Sequence, residues 1–330
     1  MTVLFVIVVF CVIIVNGFTD APNAIASCVS SRSMSVRGAI ILAGICNFLG
    51  AVTASVFFSE VAETVCSIVD FGTDSSLALS SLFAGMCAVV IWALLAFLFG
   101  IPTSESHALV AGLVGAALGG SKSFEAVNLK YLAVVLAGLI VSTVPAYFIA
   151  KGIYRAILRF FRSRDRRKAM KYFGRAQRFS AATSAFLHGA QDSQKFAGVL
   201  MLGLSLRAGE GGHGSFNVPL GISLSCALAM TLGTLLGGSR IIKKVGDEMV
   251  KLDASAGTAS DAASSVVLAA CTLLGIPVST THSKTSAMMG AGSGTQGGVN
   301  RAVARQMIVA WLLTFPCCAL LGFLLGFILR

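Results

Sequence analysis

Long apolar stretches separated by short polar ones organise this chain. Windows of roughly 17 to 25 residues, the length at which a helix spans a bilayer, can be drawn at 2–18, 36–58, 77–99, 128–150, 180–205, 216–237, 257–275 and 304–328. Two further stretches, 102–120 and 277–294, are shorter, rich in Gly and Ser, and open close to a proline. Their composition predicts broken or re-entrant segments, which membranes tolerate where protein or a polar cavity surrounds them.

The pattern occurs twice. GIPTSESHALVAGLVGA, beginning at Gly100, is answered by GIPVSTTHSKTSAMMGA, beginning at Gly275, and Gly17-Phe18-Thr19-Asp20 by Gly189-Ala190-Gln191-Asp192. Repeated, Gly/Pro-interrupted apolar segments in matching places of two halves point to the binding site of a secondary transporter. The expected architecture is an all-α polytopic membrane protein of two inverted-topology repeats, residues 1–150 and 179–330, joined by a basic linker, 151–178.

Composition agrees: 56% of the 330 residues are apolar, 12% are charged and the mean hydropathy is +0.85. The linker holds eleven Lys/Arg against Asp165 alone, +10 of the chain's net +11. Such a run could bind nucleic acid; between two membrane halves it reads as a cytoplasmic segment touching anionic lipid. Placing it inside, with each broken segment as one crossing, leaves nineteen Lys/Arg inside against four outside (Lys122, Lys130, Arg207, Arg330). Each half then has an odd number of crossings, and the halves are inverted. The nine cysteines form no C-x-x-C pair and read as small core hydrophobes. Residues 2–18 lack a basic leader and an A-x-A site, which predicts a retained first helix.

Ionisable groups within apolar spans mark an ion or substrate path, and here they follow the repeat. Asp20 lies in NGFTDAPN, where Gly17 and Pro22 should interrupt the first helix and free backbone carbonyls. Asp20 and Asp192 could each cap a helix or close an Asx-turn, but their equivalent places favour a site. Pro102-Thr103-Ser104 and Pro277-Val278-Ser279 have the chemistry of helix starts; two such starts facing each other would aim free amides and dipole ends at an oxyanion. His188 precedes Asp192 by one helical turn and is placed near the site, while His107 and His282 read as framework donors or a proton relay. If Asp20, Glu105, Asp192 and Asp261 share one cavity with Lys195 and Lys284, negative charge exceeds positive. Burying that excess requires cations or protons, which describes cation-coupled anion uptake.

These motifs resemble the inorganic phosphate transporter (PiT) family, whose paired signatures GxND-x-x-N-A and G-x-PVSTTH are matched at Gly17–Ala24, Gly189–Lys195, Gly100–His107 and Gly275–His282. The PVSTTH match is specific; the GFTD and GAQD matches are partial. The resemblance implies an inverted-repeat carrier of the plasma membrane that moves phosphate, with arsenate as an analogue, together with Na+ or H+, often as a homodimer and with no organic cofactor. It implies that Asp20, Asn23 and Asp192 help hold a coupling cation. Thr103, Ser104, Ser279, Thr280 and Thr281 would grip phosphate oxygens. Asp261 matches an acidic position, and Asn47 stands at the corresponding place in the first half. Two departures stand out: Lys195 replaces asparagine and Glu105 replaces threonine. Lys195 is therefore expected to take the role of one cation, or to pair with phosphate, with Glu105 balancing it; the alternative is a Lys195 to Asp192 salt bridge.

Phosphate import by alternating access, one repeat bundle moving against another, is the leading expectation. Sulfate is the rival substrate; the carboxylates favour phosphate, whose own hydroxyl can donate to them. An intramembrane aspartyl enzyme using Asp20 and Asp192 would leave the paired helix starts without a purpose, and a channel would not need occluded binding.

Overall fold

The computed structural model describes residues 1–72, 74–101, 103–208 and 218–330. Pro102, one of the two expected helix-start prolines, and the first two residues of the expected span 216–237 lie outside these. The described residues form thirteen α-helices. They are α1 (Thr2–Thr19), α2 (Ala21–Ser30), α3 (Val36–Phe57), α4 (Glu60–Cys66), α5 (Ser75–Leu98), α6 (Glu105–Ser121) and α7 (Leu129–Phe160). They continue with α8 (Arg166–Ala208), α9 (Leu220–Leu236), α10 (Ser239–Ile242, prolonged by a π-turn to Met249), α11 (Ala254–Leu273), α12 (Thr280–Gly292) and α13 (Arg301–Ile328).

Among the described residues six stretches are helical, long and apolar enough to cross a membrane: Thr2–Ser30, α3, α5, α7, α11 and α13. A seventh is the pair Leu220–Leu236 and Ser239–Met249, bent by 64°. The expected window 180–205 lies inside α8, a 43-residue helix whose basic start and polar HGAQDSQK stretch make it too polar to join this set. At 1.5 Å per residue α8 is about 65 Å long, over twice the roughly 30 Å hydrocarbon thickness. The basic stretch 151–178 is itself mostly helix, since α7 runs on to Phe160 and α8 starts at Arg166.

Gly17 and Pro22 interrupt the first span less than their sequence suggests. The Asp20 amide still donates to the Asn16 carbonyl (2.8 Å), and the Asp20 carbonyl then accepts from Asn23 (3.0 Å). Pro22, near the start of α2, has no amide to continue the ladder. The break is one turn residue wide, and that residue is Asp20.

The two short helices are buried almost throughout, α12 along its whole length. Each lies against a long helix through glycine, as membrane helices do where small residues let backbones touch. A Cβ on Gly115 of α6 would stand 2.0 Å from the Ala319 carbonyl oxygen of α13, and one on Gly290 of α12 would stand 2.1 Å from that of Tyr147 in α7. The same kind of contact joins α1 to α9, where a Cβ on Gly233 would fall 2.1 Å from the Ile14 carbonyl oxygen. It also joins α3 to α8 through Gly50 and Gly189.

At the basic end the molecule is latched. Gln177 of α8 accepts from the hydroxyls of Ser31 and Ser33 at 2.6 Å each, and Arg178 Nε donates to the Ser33 carbonyl at 2.9 Å. At the other end of α3, Thr64 of α4 donates to the Gly275 carbonyl (2.9 Å) beside an open cavity of about 1120 Å³ whose lining includes Glu60, Glu63, Asp70 and Glu125.

Candidate functional site

The heads of α6 and α12 meet at Asp20. Ser104 caps α6 by accepting from the His107 amide (3.2 Å), and Ser279 caps α12 by accepting from the His282 amide (3.1 Å), so both N-cap expectations are realised in the same geometry. Thr103 is buried beside Ser104. The first amide of α6, on Glu105, donates to Asp20 Oδ2 (3.3 Å), and the Thr281 hydroxyl at the head of α12 donates to Asp20 Oδ1. Thr281 Oγ1 also accepts from Asn23 Nδ2 at 3.1 Å.

Asp192, on α8, faces the same point. Its Oδ2 receives Asn16 Nδ2 (3.1 Å) and the Thr280 hydroxyl (3.4 Å), and lies 3.4 Å from His188 Nε2; its Oδ1 receives the Lys195 ammonium at 2.7 Å. Asn16 reaches Asp20 Oδ2 as well, at 3.5 Å, and so bridges the two aspartates. His188 is held from behind, its Nδ1 3.1 Å from Asn47 Oδ1, with Asn47 Nδ2 donating to Thr234 (3.1 Å).

Lys195 is surrounded by oxygen. Besides Asp192, its ammonium donates to Ser106 Oγ (2.6 Å) and to the Val278 carbonyl (2.7 Å), joining α8 to α6 and to the segment that leads into α12. The Lys195 to Asp192 salt bridge is formed, a contact that a lysine standing in for a cation would make as well. Glu105 does not balance Lys195: its Oε1 accepts from the Thr19 hydroxyl (2.8 Å), and its Oε2 is buried without a partner among the described residues. The reason is directional, because Glu105 opens α6 toward α1 while Ser106, the next residue round the helix, turns to Lys195.

Asp261 stands apart. It pairs with Lys284 and receives Ser27 and Ser180, so the six charged groups form two clusters rather than one. Two carboxylates, Asp192 and Asp261, have an ammonium each, leaving Asp20 and Glu105 adjacent with no Lys or Arg in salt-bridge range among the described residues. The trio with metal-ligand spacing is Asp20, His188 and Asp192, one atom of each lying within 4.8 Å of the others. Asn23, expected in that set, donates its amide nitrogen to Thr281 (3.1 Å), and its Oδ1, the atom that would face a cation, is buried without a partner among the described residues. His107 and His282 are not framework donors through their rings. The rings meet edge-on at 4.4 Å, and both nitrogens of His107 are buried without a partner among the described residues.

Sequence reasoning missed Asn16, Thr19, Ser27, Ser106 and Ser184. Helical spacing was the available signal: Asn16 and Ser27 stand one turn from Asp20 and Asn23, and Ser184 one turn from His188. The Val278 carbonyl carries no signal in side-chain identity.

Charge held at the middle of a chain that crosses a membrane repeatedly is expensive and is kept where ions or solutes pass, so the class of protein is a polytopic membrane transporter rather than an enzyme. More narrowly, the chain belongs to the Phosphate transporter family, which matches residues 16–322. It is 35% identical to a probable low-affinity inorganic phosphate transporter of Bacillus subtilis, over 100% of this chain and 97% of that one. Another protein so described, from Rhizobium meliloti, is also 35% identical, over 94% of this chain and 91% of its own. Among solved structures, one titled "The sodium-dependent phosphate transporter" superposes with a TM-score of 0.88 at 22% identity, covering 99% of this chain and 98% of that chain; at that identity the likeness speaks for the fold.

Proposed function

We propose that the protein imports inorganic phosphate through the plasma membrane as a cation-coupled secondary transporter working by alternating access, with residues 151–178 on the cytoplasmic side. The observation that carries this reading is the convergence of two helix heads on one carboxylate: the Glu105 amide and the Thr281 hydroxyl both donate to Asp20. Donors aimed this way suit an oxyanion, and Asp20 and Asp192 occupy them here. A phosphate entering between the heads takes over Thr280, Thr281 and the α6 amides, and the displaced carboxylates take up a proton or a cation. Uptake of the anion and of its counter-charge are then one event. With α1 and α2 taken as one stretch, the order long helix, helix, short helix, helix, short buried helix, long helix occurs in 2–160 and again in 166–328, which supports the duplication. The named relatives support phosphate over sulfate, and the sodium dependence in the structural neighbour's title supports Na+ beside H+ as the driving ion.

The test is uptake of labelled phosphate into proteoliposomes under separate sodium and pH gradients. Saturable uptake driven by one gradient and blocked by arsenate is expected; accumulation of sulfate without phosphate would replace the reading with the sulfate carrier.

In the same reading Lys195 holds the place of one coupling cation, its ammonium sitting among Asp192, Ser106 and the Val278 carbonyl. Lys195→Asn is expected to raise the dependence of uptake on external cation and to weaken phosphate binding about tenfold, as loss of one charge-assisted contact would. Unchanged cation dependence and phosphate affinity would remove this role.

A further inference from the structure

We infer that the Asp261 and Lys284 cluster is a second cation site of the carrier that the chain fills with its own lysine, confining mobile coupling cations to the Asp20 centre; the inference rests on the cation-coupled reading above. Four elements build the cluster. Asp261 of α11 accepts from Ser27 of α2 and from Ser180 of α8 (3.4 Å), and it pairs with Lys284 of α12, whose ammonium also donates to Ser184 of α8 (3.4 Å). A carboxylate among three serine hydroxyls is a hard, oxygen-only set, the kind that small alkali cations take. Asp261 is 0% and Lys284 2% exposed.

Its position argues for more than packing. Ser27, Lys284 and Ser184 each lie four residues from a residue at the centre, namely Asn23, Thr280 and His188. The cluster is therefore displaced by one helical turn, about 5.4 Å, along three helices at once. Asn23, Ser184, His188, Thr280 and Lys284 border one narrow gap between the clusters. Beyond Ser180, one turn further along α8, comes the Gln177 latch at the basic end. The second cluster thus stands between the Asp20 centre and that face.

Buried ion pairs add little net stability over apolar residues of the same size, so stability alone is a weak reason for this one. A free cation at Asp261 would compensate its charge and travel with the substrate. A tethered ammonium compensates the same charge and cannot leave. Lys284 therefore sets how many cations accompany each phosphate.

The test uses full-length K284Q, D261N and D261N/K284Q, with thermal melting in detergent and phosphate flux in proteoliposomes, each in sodium and in choline. K284Q is expected to show a sodium-dependent rise in Tm larger than that of the wild type, since a ligand that binds the folded state raises its stability. Its ratio of flux in sodium to flux in choline should exceed that of the wild type by about tenfold or more, as an emptied site that must be refilled requires. In D261N/K284Q and D261N the sodium response should fall back to the wild-type size. No added sodium response in K284Q overturns the inference, whether K284Q is fully active or is inactive and restored by D261N; the latter marks a structural pair. Should K284Q aggregate in choline, recovery of folded protein in sodium counts for the inference and aggregation in both against it. Melting does not require transport, so a sodium response without phosphate flux would sink the transport reading and leave only the cation site at Asp261, and normal flux without that response would sink the site and leave the transport reading.

Discussion

Asp20→Asn is expected to lower phosphate uptake by about a hundredfold or more while the protein still folds. Asparagine matches aspartate in volume and keeps one acceptor, enough for the Thr281 hydroxyl or the Glu105 amide but not both. The lost acceptor costs about 1–3 kcal/mol, a range single substitutions in a folded protein commonly absorb. Transport loses more. Of the four buried carboxylates, Asp20 and Glu105 are the two with no ammonium in salt-bridge range among the described residues, and a neutral amide at position 20 cannot take up a proton at pH 7 and offers a cation an oxygen without the compensating charge. If the charge is worth about 3 kcal/mol in the loaded state, at the lower end of values for buried charges, flux falls by about two powers of ten. The measurement is initial uptake in proteoliposomes, normalised to folded protein by size-exclusion chromatography. Uptake within threefold of wild type would show that coupling does not pass through Asp20.

Gly189→Ala is expected to have the largest effect on stability. A Cβ at Gly189 would lie 2.2 Å from the Asn47 carbonyl oxygen and 2.7 Å from its Cα, and from the other side a Cβ at Gly50 would lie 1.9 Å from the Phe186 carbonyl oxygen. These neighbours are backbone, so no rotamer change relieves the clash and the two helices must part. Overpacking of a tight core costs about 1–3 kcal/mol, and a clash with backbone belongs at the upper end or above it. Parting the helices would also draw Asn47 from His188, now 3.1 Å away, so uptake should fall with stability. The control is Gly174→Ala on the same helix, where a Cβ meets nothing within 4 Å. Alanine there should be neutral or stabilising by up to about 1 kcal/mol. Equal melting temperatures for G189A and G174A would contradict this account of the crossing.

Much of the site was legible because it is doubled. Asp20 with Asp192 and Ser104 with Ser279 stand at matching places in recurring motifs, and the structure brings all four elements to one point. The partners of the lysines were legible only in part, the Lys195 to Asp192 pair standing as one of two alternatives. Lys195 and Asp192 are three residues apart on one helix, whereas Glu105 reaches the same region from another helix, and sequence carries no information on which way α6 is rotated. A sum over charges could not show that Asp261 and Lys284 sit a turn away from the rest, because that separation depends on how α11 packs on α8. The depth of the break at Asp20 was likewise overdrawn: Gly17 serves close approach, a Cβ there falling 2.2 Å from the Met230 carbonyl oxygen, and the turn is left to Asp20 and Pro22. In α8, spacing placed His188 and Asp192 correctly, but the charged start hid how far the helix runs.

The glycine contacts also constrain the kinematics. Each of the tightest crossings, α1 with α9, α3 with α8, α6 with α13 and α7 with α12, joins a helix from the first half of the sequence to one from the second. Backbones that touch without a cushion of side chains cannot slide by a fraction of a residue, so each such couple travels as a solid piece. In the alternating access proposed above, the moving pieces would therefore be mixed couples, not the two halves as the chain spells them out. Interlocking of this kind makes the working unit a pair of helices drawn from both ends of the chain.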